Sequence, residues 1–249
     1  MPNRSLTLFL DDGGVMNDNA LRGPEWQRLV GEFLAPQLGG SQEAWARANA
    51  VVMSQQLPEL ERFFREAPGQ DDRPFRQDLD DAWLAEMCRE VGVTSPATRL
   101  QRLQLVDEAT TYITRRVRSA CSGAADAIRR LHQAGYVLHT ASGEHSDELD
   151  GYLEGMGVRN CFGMLYGSNL VGTAKSHPVY YQRILEDLSL APEQALFVDD
   201  NEAILDWAAD LGAQTVLCHP EPPHRSRHGH VATLSDLPKR LGIGGLTSA

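Results

Sequence analysis

The sequence predicts an α/β fold, a doubly wound parallel sheet with a block of helices inserted after its first strand. Three observations carry this. The apolar run Leu6 to Leu10 lacks helical spacing and reads as a fully buried strand. From Cys121 onward, apolar runs alternate with helical patterns, as in a parallel sheet covered on both faces. Between them, roughly a hundred residues contain helical patterns and no convincing strand.

The first strand ends abruptly in Asp11-Asp12-Gly13-Gly14-Val15-Met16. In open parallel sheets ligands bind at the carboxyl ends of the strands, so a carboxylate there suits chemistry better than packing. The two glycines allow a sharp turn and a close approach to a ligand. After a polar segment, Pro24 reads as a first-turn proline, and Trp26, Leu29, Val30, Phe33 and Leu34 fall at helical spacing. Further helices are expected over Gln42 to Gln56, Pro58 to Arg65, Leu79 to Val91 and about Thr98 to Arg118, with a loop at residues 67–74. Hinges are expected near residues 17–24 and 118–123.

Residues 122–135 form a helical pattern closed by Gly135, and Tyr136 to Thr140 follows as a strand. A helix (Ser146 to Met156), a short segment (Phe162 to Tyr166) and a helix (Val179 to Leu188) come next. Then follow a strand (Ala195 to Asp199), a helix (Glu202 to Leu211) closed by Gly212, and the strand Gln214 to Cys218. Residues 219–230 are rich in turn formers and carry four histidines at no zinc-motif spacing, which suits a surface loop.

The 34 acidic residues exceed the 23 basic ones, giving a net charge of −11. This argues against nucleic-acid and anionic-membrane partners, though not against an anionic substrate at a locally cationic site. No run approaches the ~18 apolar residues of a membrane span. The four cysteines form no CxxC, and no leader pattern precedes Leu6. A cytoplasmic protein with reduced thiols is therefore expected. The sequence leaves monomer and homodimer both open.

Four strand-end or pre-helix positions stand out: Asp11; Thr140, followed by Ala141-Ser142-Gly143; Lys175 in Gly172-Thr-Ala-Lys175-Ser-His-Pro178; and the pair Asp199–Asp200. An acid, a hydroxyl, a lysine and an acid pair in this order resemble the four motifs of the haloacid dehalogenase superfamily. Residues 122–131 resemble that family's re-entry helix, residues 175–181 its lysine motif, and residues 208–212 its last helix. The resemblance implies a Rossmann-like core, residues 1–17 and 121–249, with a helical cap, residues 18–120. It further implies a phosphatase of a small phosphorylated metabolite that uses magnesium. Asp11 would be the nucleophile that becomes a phospho-aspartate. Magnesium would be held by Asp11, the Gly13 carbonyl and the pair Asp199–Asp200, with Asp200 in the usual ligand position. Lys175 would hold the phosphoryl oxygens, and Thr140 with nearby backbone N–H groups such as that of Ala141 would bind the phosphoryl group. Asp12 is expected to point away, since successive strand residues face opposite sides.

Two positions depart from the family pattern. Most of its phosphatases carry a second aspartate two residues after the nucleophile, which protonates the leaving oxygen and later activates water; here that residue is Gly13. Loss of such a group costs about 10²–10⁴-fold. Glu144 and His145 are the candidates to replace it. The family also often has an acid where this chain has Ile204. Gly13 keeps open a 2-haloacid dehalogenase, whose halide leaves without a proton. Together with Ile204 it also keeps open a binding protein without turnover.

Overall fold

The computed structural model describes residues 6–67 and 69–243. Six parallel strands form one sheet in the order β3-β2-β1-β4-β5-β6. β1 (Thr7–Leu10) lies at its middle, paired with β2 (Val137–Ala141) on one side and β4 (Ala195–Asp199) on the other. Chain order reverses between β1 and β4, and that is where a doubly wound sheet opens its ligand crevice. Asp11 and Asp199 thereby end adjacent strands. β3 (Phe162–Tyr166) is one edge; β5 (Gln214–Cys218) and β6 (Gly229–Val231) complete the other side.

Alternation along β1 builds both faces. Leu8 and Leu10 enter one core with Ile128 and Leu131 of α5 (Ala124–Gln133) and Leu149 and Leu153 of α6 (Ser146–Gly155). Phe9 enters the other with Tyr180, Tyr181 and Ile184 of α8 (Val179–Asp187) and Leu205 of α9 (Glu202–Asp210). Its ring stacks on Phe197 at 4.5 Å. The short helix α7 (Ser168–Val171) lies beside α8, and α10 (Leu237–Arg240) joins the α5 side through Leu237.

Four helices fill the interval between β1 and α5. They are α1 (Asn19–Leu38), α2 (Gln42–Glu66), α3 (Arg73–Val91) and α4 (Arg99–Thr114). They enclose a core of their own, around Leu34, Trp45, Leu84, Met87 and Ile113, and Tyr152 of α6 reaches into it.

Several local expectations change. α1 begins before Pro24, because Asp18 caps it by accepting from the Ala20 N–H at 2.8 Å. Residues 42–66 are one helix rather than two. Pro58 removes a single backbone bond, while Trp45, Val52 and Gln56 anchor the helix before it, the Gln56 amide donating to the Leu79 carbonyl at 3.1 Å. α3 starts at Arg73 with Pro74 in its first turn, shortening the preceding loop, and α4 ends at Thr114. The histidine-bearing segment is not all surface loop. Its end adds β6 to the sheet, and His228 is buried with its Nδ1 2.7 Å from Thr215 Oγ1. The segment's polar composition masked a three-residue edge strand. No helix among the described residues is long and apolar enough to cross a membrane.

The helical block leaves and rejoins the sheet through two crossing segments. Asp18 N–H donates to the Ser119 carbonyl at 2.7 Å, and Cys121 N–H to Met16 at 2.9 Å. Asn17 ties them further, donating to Asp12 Oδ1 at 2.7 Å and accepting from Ser119 Oγ at 3.0 Å. Asp12 is fully buried and ion-paired with Arg22, which also reaches Glu144 at 3.1 Å. Arg22→Ala leaves the buried Asp12 carboxylate without its cation. It is expected to cost about 3–5 kcal/mol of stability in urea unfolding. A loss below about 1 kcal/mol would show that the pair does not hold this junction.

Candidate active site

Asp11 immediately follows β1, and its N–H donates to the Val198 carbonyl of β4 at 3.0 Å, so the sheet fixes its backbone. Lys175, in the loop before α8, places its Nζ 2.7 Å from Asp11 Oδ1 and 2.6 Å from Asp199 Oδ2. Asp200 joins them: oxygens of Asp11, Asp199 and Asp200 lie within 4.8 Å of one another. The structure thus gathers Asp11, Lys175, Asp199 and Asp200 from chain positions up to 189 residues apart. Among the described residues this is the one cluster of at least three acidic, histidine or cysteine side chains arranged to hold a metal ion.

Its charges are not balanced. Burial pushes the Asp11 carboxyl up to about 7, with Asp199 adding to the rise and Lys175 opposing it. Burial and the Asp199 charge raise Asp200 as well. Burial opposes the charge on Lys175, but Asp11 and Asp199 outweigh it and hold the ammonium form. One ammonium faces three carboxylates, and the donor atoms are hard oxygens. That set fits a divalent cation such as magnesium.

Gly14 makes the cluster sterically feasible. Its φ is +75°, and a Cβ there would lie 2.0 Å from Asp200 Oδ2. The close approach its lack of a side chain permits is thus to Asp200. Gly13 is half-exposed and bridges to Asn17. Thr140 is buried opposite Leu10, and its hydroxyl donates to the Tyr166 carbonyl at 3.4 Å. Ala141 packs with Phe9 and Tyr180. Tyr180 donates its hydroxyl to the carbonyls of Ser142 and Tyr166 at 3.0 and 2.8 Å, tying the loop after β2 to α8.

Glu144 and His145 are not in the carboxylate cluster. Glu144 is engaged by Arg22, and His145 Nε2 lies 3.7 Å from Asp72 Oδ2. Asp72 also accepts from Arg76 Nε at 2.7 Å and Ser168 Oγ at 2.8 Å, while Arg76 donates to the Gly143 carbonyl at 2.9 Å. These contacts seat the helical block on the loop after β2. Sequence reading missed them because an aspartate before a helix ordinarily signals only a cap. Asp12 faces away from the cluster into the Arg22–Asn17 network, as strand alternation predicts.

Comparison with known proteins agrees with this architecture. Residues 23–212 match the family model for haloacid dehalogenase-like hydrolases. A curated relative, enolase-phosphatase E1 of Methylococcus capsulatus (strain ATCC 33009 / NCIMB 11132 / Bath), is 30% identical over 109 residues. That match spans 41% of this chain and 47% of the relative, so it covers about half of the relative's length. The HAD-hydrolase YfnB of Bacillus subtilis, solved with magnesium, superposes with a TM-score of 0.64 at 18% identity, over 96% of this chain and 99% of that one. The L-2-haloacid dehalogenase of Xanthobacter autotrophicus, solved with chloropropionic acid covalently bound, gives 0.60 at 16% identity over 96% and 99%.

Gly14→Ala is expected to displace Asp200 and strain the turn, lowering Tm by several degrees, about 4 °C or more. An unchanged thermal midpoint in calorimetry would show that the loop absorbs the methyl group.

Proposed function

The chain belongs to the haloacid dehalogenase-like hydrolases, and from that premise we propose that it is a magnesium-dependent phosphatase acting on a small phosphorylated metabolite. The observation that carries the reading is the buried cluster of Asp11, Asp199 and Asp200 around Lys175. A dianionic phosphoryl group does not approach three carboxylates without added positive charge. Magnesium held by Asp11, the Gly13 carbonyl and Asp200, with Asp199 beside it, would supply that charge and polarise the phosphoryl oxygens.

The chain's own groups do the remainder. Asp11 Oδ attacks phosphorus and gives a phospho-aspartate, and water then releases phosphate and regenerates the carboxylate. Lys175 holds Asp11 in place and offers its ammonium to a phosphoryl oxygen. The proposed phosphoryl contacts are Thr140 and the N–H groups at the end of β2 and in the loop after it, including that of Ala141; the Thr140 hydroxyl would exchange its bond to the Tyr166 carbonyl for one to the phosphoryl group. The reading includes a cytoplasmic setting, a monomeric or homodimeric state, and no nucleic-acid or membrane partner, as the net charge of −11 suggests.

A second reading has one observation in its favour. Gly13 offers no acid to a leaving group, and a halide needs none, as in a 2-haloacid dehalogenase. That chemistry has no use for metal, which leaves the acid pair Asp199–Asp200 without a task, so we rank it second.

Phosphate release from p-nitrophenyl phosphate, whose leaving group is stable as an anion, is expected to require magnesium and to vanish in Asp11→Asn. Halide release from a 2-haloacid, indifferent to chelator, would replace this reading with the second. Metal binding has its own signature in pH. Because burial places Asp11 near 7, its protonated form favours folding at low pH, and this contribution is lost as pH rises through 7 in metal-free protein. At about pH 5.5 a cation must displace that proton, at a cost of about 2 kcal/mol. The rise in Tm on adding magnesium is therefore expected to be larger at pH 8 than at pH 5.5. Equal rises would remove Asp11 from the ligand set.

A further inference from the structure

Gly13 leaves room beside the Asp11 loop, and the structure fills that room. A Cβ on Gly13 would lie 3.0 Å from Asn19 Oδ1 and 3.1 Å from its Nδ2. Asn19 is the first residue of α1 and is exposed, so its carboxamide borders the open side of the loop. The Asp11 carboxylate itself is buried and clamped by Lys175. In phosphoryl transfer the attacking and leaving oxygens lie roughly in line. Asp11 is buried, so a leaving group in line with it would depart toward solvent, and Gly13 and Asn19 meet at an exposed part of the same loop.

We propose that Asn19 is the residue that contacts the leaving group, and that its amide restricts the enzyme to phosphoryl compounds whose leaving oxygen departs as a stable anion, such as aryl or acyl phosphates. The inference rests on the phosphatase reading. Nδ2 donates a hydrogen bond to the leaving oxygen as negative charge grows there, but a carboxamide has no proton to transfer near neutral pH. The Asp11 oxygen–phosphorus bond forms, the bond from phosphorus to the leaving oxygen breaks, and its electron pair stays on that oxygen as an anion. Water then adds to phosphorus, the bond to Asp11 breaks, and dihydrogen phosphate leaves with both protons of the water. An alkoxide from a simple alkyl ester is far too basic to leave this way. Glu144 and His145 are turned to other partners, Glu144 to Arg22 and His145 toward Asp72.

The test compares magnesium-dependent kcat and KM on p-nitrophenyl phosphate and on glycerol 3-phosphate, an alkyl ester. Wild type, Asn19→Ala and Asn19→Asp are measured across pH, with circular dichroism confirming the fold of each. Wild type is expected to favour the aryl ester by roughly 10²–10⁴-fold in kcat. Asn19→Ala is expected to lose about tenfold in kcat on the aryl ester at little change in KM, the worth of one hydrogen bond made in the transition state. Asn19→Asp places an ionisable group at the same spot. It is expected to narrow the aryl-to-alkyl ratio and to add a limb to the alkyl pH profile. Equal wild-type rates on both esters overturn the inference, and so does an aryl-to-alkyl ratio that neither variant changes. Either result leaves the phosphatase reading standing. Absence of turnover on both esters in wild type overturns that reading and this inference together. A variant that fails to fold is replaced by Asn19→Ser, for which the same loss of kcat is expected.

Discussion

The ammonium of Lys175, shared between Asp11 and Asp199, is the interaction on which the rest of the site depends. Two carboxylates ending adjacent buried strands repel each other in a medium that screens poorly. Without a cation between them, burial would favour their neutral forms. A neutral Asp11 is a poor nucleophile and a poor ligand. Lys175 works against this, yet Asp11 still rises to about 7, so one ammonium does not complete the balance. The deficit costs stability and is what a cation would relieve in the proposed function.

The sheet makes this arrangement accurate. Asp11 and Asp199 need no long side-chain reach, because Leu10 pairs with Val198 and the strand ends coincide. Lys175 arrives from a loop whose neighbour Tyr180 is fixed by two carbonyls of the β2 side. Asp200 enters only because Gly14 has no side chain. Three elements far apart in sequence are thus brought together by backbone register, buried hydrogen bonds and one steric permission. The helical block attaches by a different kind of contact. Asp12–Arg22–Glu144 is an ionic bridge between it and the sheet, and the Asp72–Arg76 pair reaches across through hydrogen bonds to Ser168 and the Gly143 carbonyl, whereas the two apolar cores meet mainly at Tyr152.

What the sequence made legible follows from this physics. Strand ends are legible because a buried apolar run that stops on Asp11 or Asp199 leaves few alternatives. The alternation of strands and helices after Cys121 gave the parallel sheet, since each apolar period is strong. Helix boundaries were less legible where proline was read as punctuation. Pro24 and Pro58 lie inside helices because packing at Leu29, Trp45 and Val52 outweighs one missing hydrogen bond. The strand Gly229–Val231 was hidden for the opposite reason. It is too short for periodicity and its neighbours are polar, so only pairing with β5 reveals it. Asp72 and Asn19 carried no signal at all, since their significance lies in the neighbours the fold brings them, the Ser168 hydroxyl for Asp72 and Gly13 for Asn19.

Gly13 shows how an apparent loss in a motif depends on its surroundings. Read along the chain, glycine at this position removes an acid and leaves nothing. In three dimensions the vacated direction points at the first residue of α1, an asparagine six positions later. Helix α1 starts at that point because Asp18 caps it and Asn17 binds Asp12, so the carboxamide is delivered by the same junction that joins the two halves. In the proposed reaction, a polar, non-titrating group there changes the demand on the substrate rather than the identity of the nucleophile. Covalent chemistry at Asp11, as proposed, would need only a leaving group that tolerates its own charge. The motif's departure and the intact carboxylate cluster are consistent for that reason: one governs which bonds are weak enough to break, the other how the attack is made.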